Sequence, residues 1–239
     1  MEWLTLYCVD AYQEGSSPAD SEHRSLKGKD MVNSEVLSQE MGRAVCSRLL
    51  AECYHLPEPG LTRNVESLED AMREVCREAV SYVAKMKEGL AGIEDLDELK
   101  RDYARLFTGP YHLFAPPYGS IYLEGERQVM GVSTLDVMER YRQCGVALAE
   151  DFHEVADHIA AELEFVYFLG LKEVQALEED DHQAAMDARA KLEDFLRVHL
   201  GAWISDFAHH VEENAGTEFY RNLAKCSRVF VESRMNGSC

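Results

Sequence analysis

The chain has 239 residues, 46% of them hydrophobic, and carries 44 acidic against 24 basic side chains for a formal net charge of −20. This apolar content suffices for a buried core, which excludes a wholly disordered chain. The acidity excludes nucleic acid and anionic membranes as natural partners, because their phosphates would repel the protein. A cationic partner fits this charge, although acidity that serves only solubility stays open.

The seven cysteines are an odd, scattered set without Cys-x-x-Cys pairs or zinc-like spacing, and we expect reduced thiols. The N-terminal stretch has no basic segment of the signal-peptide kind, and Asp10 interrupts its apolar run. No uncharged run approaches the ~18 residues that a membrane span needs. We therefore expect a cytoplasmic protein without stable membrane insertion.

The chain divides into a polar extension and one helical domain. Residues 1–32 lack an apolar period over their second half, and we expect an N-terminal extension that need not be ordered. Residues 33–239 are predicted to form a single all-helical domain with lobes at about 33–145 and 146–239. Neither β-type alternation nor a repeat is visible, so the predicted fold class is all-α.

Apolar periods predict the helices of the first lobe. The first helix begins at residue 33 or 34 and ends before Pro57. A capping box at Ser67–Asp70 predicts the start of a second helix, which continues to Gly89. A third, shorter helix is expected over 96–107.

A proline- and glycine-rich loop at about 108–132 interrupts the helices, because proline lacks the N–H donor and clashes with the preceding turn. A second capping box at Ser133–Asp136 restarts a helix that runs to about Cys144. Apolar spacing from Phe152 to Leu169 then predicts a long helix facing the core. Two further helices are predicted, over 192–207 and 219–230.

Histidine and carboxylate pairs suggest a metal site only weakly. His153 and His158 are five residues apart, about 140° around a helix, which excludes the zinc-protease arrangement. The Glu-x-x-His pairs Glu150/His153 and Glu179/His182 match half of a four-helix di-iron site. Neither pair follows a core stripe, which argues against such a site. Because the spacing of the pairs matches, a di-iron helical bundle remains the alternative prediction. With no nucleophile or phosphate-loop motif either, we assign no catalytic residue, metal ligand or cofactor and expect no enzyme.

Two candidate binding surfaces remain. The acidic stretch 150–182 holds eleven Asp or Glu and one basic residue, Lys172, and much of it is expected to be solvated helix face. The other surface is aromatic and proline-rich, and it fits either a structural plug or an apolar surface for a peptide. Its members are Tyr103, Phe107, Tyr111, Phe114, Pro116, Pro117, Tyr118 and Tyr122.

The order of several short motifs resembles one known family. The motifs are Tyr103-x-x-Leu-Phe107-x-Gly-Pro110, then Ala115-Pro-Pro-Tyr-Gly-Ser-Ile-Tyr-Leu123, then Gly131-x-Ser-Thr134, then Asp157-His158. Over about 34–232 the chain is similar to the TorD/DmsD family of cytoplasmic maturation chaperones, which serve molybdoenzymes of the dimethyl sulfoxide and trimethylamine N-oxide reductase type.

The resemblance implies a single-domain helical bundle of the TorD/DmsD type with no catalysis and no cofactor. It implies binding of the twin-arginine signal peptide of a molybdoenzyme precursor, delayed export and help with molybdenum-cofactor insertion. The implied partners are the leader and body of the catalytic subunit, with the chaperone as monomer or homodimer. The resemblance and the aromatic cluster together give the predicted peptide-binding residues. These are Tyr103, Leu106, Phe107, Pro116, Pro117, Tyr118, Gly119, Ser120, Tyr122, Asp157 and His158.

One departure from the family concerns the hinge before the long helix. Members commonly carry a proline there, whereas this chain reads Glu154-Val-Ala-Asp157-His158. Without proline the helix can begin as early as Asp151, which would place Asp157 inside the helix rather than near its cap.

Overall fold

The computed structural model describes residues 6–8, 29–93, 96–109, 113–125 and 130–237. Apart from 6–8 and 29–32, the N-terminal extension lies outside the described residues. In chain order the elements are β1 (Leu6–Cys8), α1 (Lys29–Cys53), α2 (Leu61–Val75), α3 (Arg77–Ala91), α4 (Asp97–Tyr103), a π-helical turn (Ala104–Thr108), α5 (Gly119–Leu123), α6 (Val132–Gln143), β2 (Val146–Leu148), α7 (Ile159–Glu178), α8 (His182–Val198), α9 (Leu200–Asn214) and α10 (Glu218–Asn236).

The predicted all-α class is confirmed, with one addition. The strands β1 and β2 pair as a three-residue antiparallel ribbon that aligns Leu6 with Leu148 and Cys8 with Val146. Three residues are too few for an alternating pattern to be recognised in the sequence.

Helix starts in the first lobe differ from the prediction. Helix α1 begins at Lys29, a turn before residue 33. The buried stripe of α2 begins at Leu61, so the helix starts there, and Ser67–Asp70 lies in its middle instead of capping it. The predicted single helix also breaks at Cys76, whose backbone is extended (φ −150°, ψ 81°) although its N–H still donates to the Met72 carbonyl at 2.8 Å.

The second predicted capping box is wrong as well. Helix α6 follows Gly131, and no side chain within the Ser133–Asp136 segment caps it. The N–H and hydroxyl of Ser133 instead donate to the Glu124 carboxylate at 2.8 and 2.6 Å. Because Glu124 follows α5, this contact ties α6 to the short helix inside the predicted loop.

Helices from the two halves of the sequence pack together. Helix α1 lies along α7, α3 lies along α10, and α7 and α10 also contact α8 and α9 respectively. Gly170 of α7 faces Ala44 of α1, where a Cβ on residue 170 would lie 3.0 Å from the Ala44 side chain. The missing side chain therefore lets these two helices approach closely.

Aromatic side chains form the centre of the core. Phe107 contacts Tyr54, Phe207 and Tyr220 with ring centroids 5.4 to 6.1 Å apart, and all four rings are fully buried. The cysteines whose side chains the structure describes are free thiols. Among the described helices, none is both long and apolar enough to cross a membrane.

Candidate functional site

The Pro-Pro-Tyr loop pairs with the segment that precedes α7. Tyr118 and His158 form an isolated antiparallel bridge. The N–H of Ile159 donates to the Pro117 carbonyl and that of Gly119 donates to the Asp157 carbonyl, each at 2.9 Å. We call residues 116–120 and 154–159 together the loop–hinge junction; they are some forty residues apart in sequence and held by main-chain hydrogen bonds.

Asp157 fixes the loop from beneath. Its side chain is fully buried, and Oδ2 accepts the Ser120 N–H at 2.7 Å. Oδ1 is buried and has no hydrogen-bond partner among the described residues, and the same holds for the Ser120 hydroxyl. A buried carboxylate is costly unless it is hydrogen-bonded, so this contact makes the position of the loop depend on Asp157.

Helix α7 begins at Ile159, so the expected earlier start at Asp151 is wrong. His158 has extended backbone (φ −68°, ψ 140°) and caps the helix, with its Nδ1 accepting the Ala160 N–H at 3.1 Å. A side-chain cap replaces the missing proline as the signal that ends the hinge. Asp157 therefore stands just before the helix.

The His158 imidazole is buried and neutral. Burial, and then the neighbouring His55, lower the pKa of His158 to about 3. Since Nδ1 accepts a hydrogen bond, the ring proton lies on Nε2. Tyr118 and Phe152 contact the ring edge-on, with centroids 5.6 and 5.7 Å away.

Glu162 and Trp203 form the floor beneath the loop. Trp203 Nε1 donates to Glu162 Oε2 at 2.9 Å, and both side chains are fully buried. Burial raises the pKa of Glu162 well above its ordinary value, which favours the neutral form of the carboxyl. A Cβ on Gly119 would lie 2.9 Å from Trp203 Nε1 and 3.3 Å from Glu162 Oε1. Only glycine fits at this position without displacing the floor.

Tyr118 and Glu154 form the outer rim of the junction. The Tyr118 hydroxyl donates to Glu154 Oε2 at 2.7 Å, and both side chains are half-buried. Burial, followed by this hydrogen bond, raises the pKa of Tyr118, so the phenol stays protonated. A neutral phenol and a carboxylate are thereby presented side by side at the surface.

Tyr122 lies at the other end of the loop. Its ring stacks on Trp203 with centroids 5.5 Å apart and planes 13° apart, and its hydroxyl donates to the Pro116 carbonyl at 2.9 Å. The side chain is half-buried. It connects the buried floor to the surface beside the prolines.

The remaining residues of the sequence-predicted site lie beneath the surface. Tyr103 is 8% exposed, and Leu106 and Phe107 are buried in the aromatic core. The Leu106 carbonyl accepts the Ala115 N–H at 3.0 Å, so the π-helical turn supports the start of the loop. Of the predicted residues, Pro117, Gly119, Ser120, Asp157 and His158 are also buried, whereas Pro116, Tyr118 and Tyr122 reach the surface.

Within the aromatic cluster, two residues remain to be placed. Phe114 is 38% exposed, and the Arg105 guanidinium lies over its ring, 5.3 Å from the centroid. Tyr111 and the neighbouring Pro110 lie outside the described residues. The sequence allowed either a structural plug or an apolar surface. In the structure, one end of the aromatic cluster packs in the core and the other end is exposed.

The acidic stretch is less solvated than its composition suggested. Four of its eleven acidic residues are buried, namely Asp157, Glu162, Glu164 and Glu173. Glu154, half-buried, contacts Tyr118 at the rim of the loop–hinge junction, and Glu150 and Asp151, which precede it in sequence, are exposed.

The geometry does not support the di-iron alternative. Glu150 and His153 lie in the segment between β2 and α7, while Glu179 and His182 lie at the turn between α7 and α8, and all four are exposed. A di-iron site needs ligands that project from helices into a common core. Within the part of the chain that the structure describes, no group of three His, Cys, Asp or Glu could hold a metal ion.

Sequence reasoning missed three members of the site: Glu154, Glu162 and Trp203. Glu162 had a usable signal, because an acidic residue one turn into the apolar helix α7 stands where the core stripe predicts burial. Trp203 had none, since its contact with the loop depends on packing between α9 and α5.

Comparisons with known proteins give the relatives of this chain. The family model described as nitrate reductase delta subunit matches residues 65–209, more than half of the chain. The Tat proofreading chaperone DmsD of Salmonella typhimurium is 31% identical over 133 residues, which cover 56% of this chain and 58% of the relative. The chaperone protein TorD of Shewanella loihica is 25% identical over 179 residues, 73% of this chain and 71% of the relative. The match to DmsD thus spans little more than half of that relative's length.

One similar solved structure is named as that of a redox enzyme maturation protein from Archaeoglobus fulgidus. Its sequence is 22% identical to this chain, and the two structures superimpose with a TM-score of 0.49. The superposition covers 79% of this chain and 93% of the other. The family match covers the π-helical turn, the loop–hinge junction, α6, α7 and α8 and reaches into α9. The chain belongs to the nitrate reductase delta subunit family, and its resemblance to the TorD/DmsD chaperones is confirmed.

Proposed function

We propose that the protein is a maturation chaperone that binds the twin-arginine signal peptide of a molybdoenzyme precursor of the DMSO/TMAO reductase type, delays its export and assists insertion of the molybdenum cofactor. Its family membership supports the chaperone class. The observation that carries the proposal is the loop–hinge junction, where Tyr118 and Glu154 stand at the surface on a rigid buried base.

The charge of the rim suits a peptide with two arginines. Glu150, Asp151 and Glu154 lie within five residues of one another in sequence, and Glu154 contacts Tyr118 of the loop. A guanidinium group binds carboxylates through paired N–H donors, which a lysine ammonium cannot reproduce. The net charge of −20 would also speed encounter with a cationic leader.

The apolar part of the surface suits the rest of such a leader. Pro116, Tyr118 and Tyr122 present half-buried rings, and Phe114 is exposed beside them. Tyrosine offers a large apolar face at a low cost in conformational entropy, because it has few rotatable bonds. Apolar burial at about 25 cal/mol per Å² would then supply affinity that the charges alone do not.

The buried part of the junction has a positioning role in this proposal. Asp157, His158 and Glu162 are sealed from solvent and engaged with the loop, helix α7 and Trp203. Burial favours the neutral form of both Glu162 and His158, and neutral side chains can be packed at a low desolvation cost. We infer that they hold the rim in place and take part in no reaction.

Isothermal titration calorimetry tests the proposal. The ligands are synthetic leader peptides of molybdoenzymes whose genes neighbour the gene of this protein. Each peptide is titrated into the full-length protein, and so is a version in which its two arginines are replaced by lysines. We expect the twin-arginine peptide to bind at least about tenfold more tightly than the twin-lysine peptide and to weaken as salt rises. Glu154→Gln should remove most of the arginine preference, while Glu178→Gln, on the exposed far end of α7, should leave it unchanged. Failure of every leader to bind the wild type would overturn the proposal.

A further inference from the structure

Helix α6 has an outward face that is apolar although it faces solvent. Val132, Leu135 and Met138 are 77%, 60% and 47% exposed, and Met130 just before the helix is 61% exposed. The opposite face of α6 is buried in the core through Val137 and Tyr141. A helix at the surface usually has one apolar face, so the second one needs an explanation.

A cavity lies beside this face, between α6 and β2. It has a volume of about 830 Å³ and is lined by Leu135, Met138 and Tyr141 on the helix and by residues 144–148 on the other side. Such a volume falls within the usual range of ligand pockets and would take several apolar side chains. The methionine side chain can adapt to occupants of different shape.

The charges around the cavity are already neutralised. Glu139 accepts two hydrogen bonds from Arg142, both at 2.7 Å, and one from Gln143 at 2.9 Å. Asp136 on the same helix forms an ion pair with Arg140 and a hydrogen bond with His199. In a chain of net charge −20, this face is thus locally balanced, which favours an uncharged occupant over a cationic one.

Two contacts join helix α6 to the elements around the loop–hinge junction. The Tyr141 hydroxyl, on a side chain that lines the cavity, donates to the Ala156 carbonyl in the hinge at 3.0 Å. At the other end of α6, Glu124 binds Ser133 and so connects the helix to α5. Helix α6 therefore neighbours both the hinge and α5, the two elements that flank the rim.

We propose that the outward face of α6 and the adjoining cavity bind the uncharged apolar segment of the same leader whose arginines contact the rim. This inference rests on the proposed function and adds a second contact surface to it. From Val132 to Met138 the apolar face is about 9 Å long, which matches between one and two turns of a peptide helix. The two surfaces divide the peptide by chemistry, with arginines at the acidic rim and apolar residues along the balanced, methionine-rich face.

Variants of α6 test this division by calorimetry. The double variant Leu135→Asp, Met138→Asp removes the apolar character of the face, and Met186→Asp on α8 is the matched control because Met186 is 58% exposed. Tyr118→Ala serves as the reference for the rim. The probes are a full synthetic leader and a truncated leader that keeps the arginine pair and lacks the apolar segment.

We expect the α6 double variant to weaken binding of the full leader by about tenfold or more and to leave binding of the truncated leader unchanged. Tyr118→Ala should weaken binding of both peptides, and Met186→Asp of neither. Full-leader affinity that is unaltered in the α6 variant but lower in Tyr118→Ala would overturn this inference and leave the proposed function standing. Light scattering that shows a wild-type dimer converted to monomer by the α6 variant would also overturn it, since the face would then join two copies of the chain. If the wild type binds neither peptide, the proposed function fails and this inference fails with it.

Discussion

The loop–hinge junction and the outward face of α6 are opposite departures from ordinary protein construction. At the junction, polar and titratable groups are removed from water, with Asp157, His158 and Glu162 each at most 3% exposed. On α6, large apolar side chains such as Val132 and Leu135 are left in water. Polar groups inside and apolar groups outside are the two arrangements that need an explanation in a folded protein. The first fixes a surface in one conformation, and the second leaves a surface that a partner can cover.

The comparison can be tested first at Asp157, where we expect the largest effect. Asp157→Ala leaves the Ser120 N–H without its acceptor and should lower the free energy of unfolding by about 2–4 kcal/mol and weaken leader binding strongly. Asp157→Asn keeps an acceptor oxygen for that N–H, so binding should stay within about threefold of the wild type. Chemical denaturation and calorimetry measure the two quantities.

The pair of variants separates a positioning role from a direct ion pair. If the Asp157 carboxylate contacted the leader's arginine itself, removing its charge would be as damaging as removing the side chain. Equal loss of binding in Asp157→Asn and Asp157→Ala, with Asp157→Asn as stable as the wild type, would contradict the positioning role.

Gly119→Ala should show the next largest effect. The added Cβ would lie 2.9 Å from Trp203 Nε1, and the indole is packed too tightly to yield freely. We expect unfolding to become easier by about 1–3 kcal/mol, as is usual for overpacked sites. Gly60→Ala is the control, because nothing lies within 4 Å of a Cβ at that position. Equal stability of the two variants in thermal unfolding would show that the floor beneath the loop is not rigid.

The pH dependence of stability gives a smaller and more specific test. The folded-state pKa of His158 is lowered from 6.5 to about 3, so the unfolded chain binds a proton in this window that the folded chain does not. Stability should therefore fall as the pH falls from 6.5 towards 3, by up to about 1.4 kcal/mol per pH unit from this residue. His158→Gln should lack this contribution. It is measured as the difference between the free energies of unfolding of the wild type and the variant at each pH. A difference that stays constant from pH 6.5 to 4 would mean that the imidazole is not buried in the folded protein.

The smallest effect on stability is expected on α6. Leu135→Ser and Val132→Ser replace apolar groups that already contact water, so the free energy of unfolding should change by less than about 0.5 kcal/mol. Val137→Ser on the inward face of the same helix is the control and should cost about 2 kcal/mol or more, because that side chain is fully buried. A large loss in the outward variants would show that something in the folded chain already covers this face.

The sequence predicted which segments are helical better than it predicted where each helix begins and ends, and the single helix predicted over 192–207 is two, α8 and α9, which are separated at His199. The apolar spacing from Phe152 to Leu169 correctly indicated a long core helix but placed its start too early, since α7 begins at Ile159. Its first residue could not be read from the sequence, because the cap is a histidine whose backbone pairs with Tyr118, forty residues away. In the same way, Ser67–Asp70 has the residues of a capping box but lies within α2, since the buried stripe of that helix starts at Leu61.

The sequence predicted which residues form the candidate site, but it did not predict which of their side chains reach the surface. The motif order brought the Pro116–Ser120 loop and Asp157–His158 into one prediction, and the structure places them in contact. Spacing could not tell that Leu106 and Phe107 face the aromatic core or that Tyr118 reaches the surface. Those orientations follow from the π-helical turn and from the pairing of the loop with the hinge, which are tertiary contacts.

Hydrogen exchange measured with and without a bound leader shows which surface of the protein the leader covers. We expect a synthetic twin-arginine leader to protect the backbone amides of residues 114–122 and 152–160, and those of α6, while α8 and the α8–α9 junction exchange as in the free protein. Protection confined to α8 and α9, with unchanged exchange in the loop and the hinge, would contradict the claim that the loop–hinge junction is the leader-binding surface.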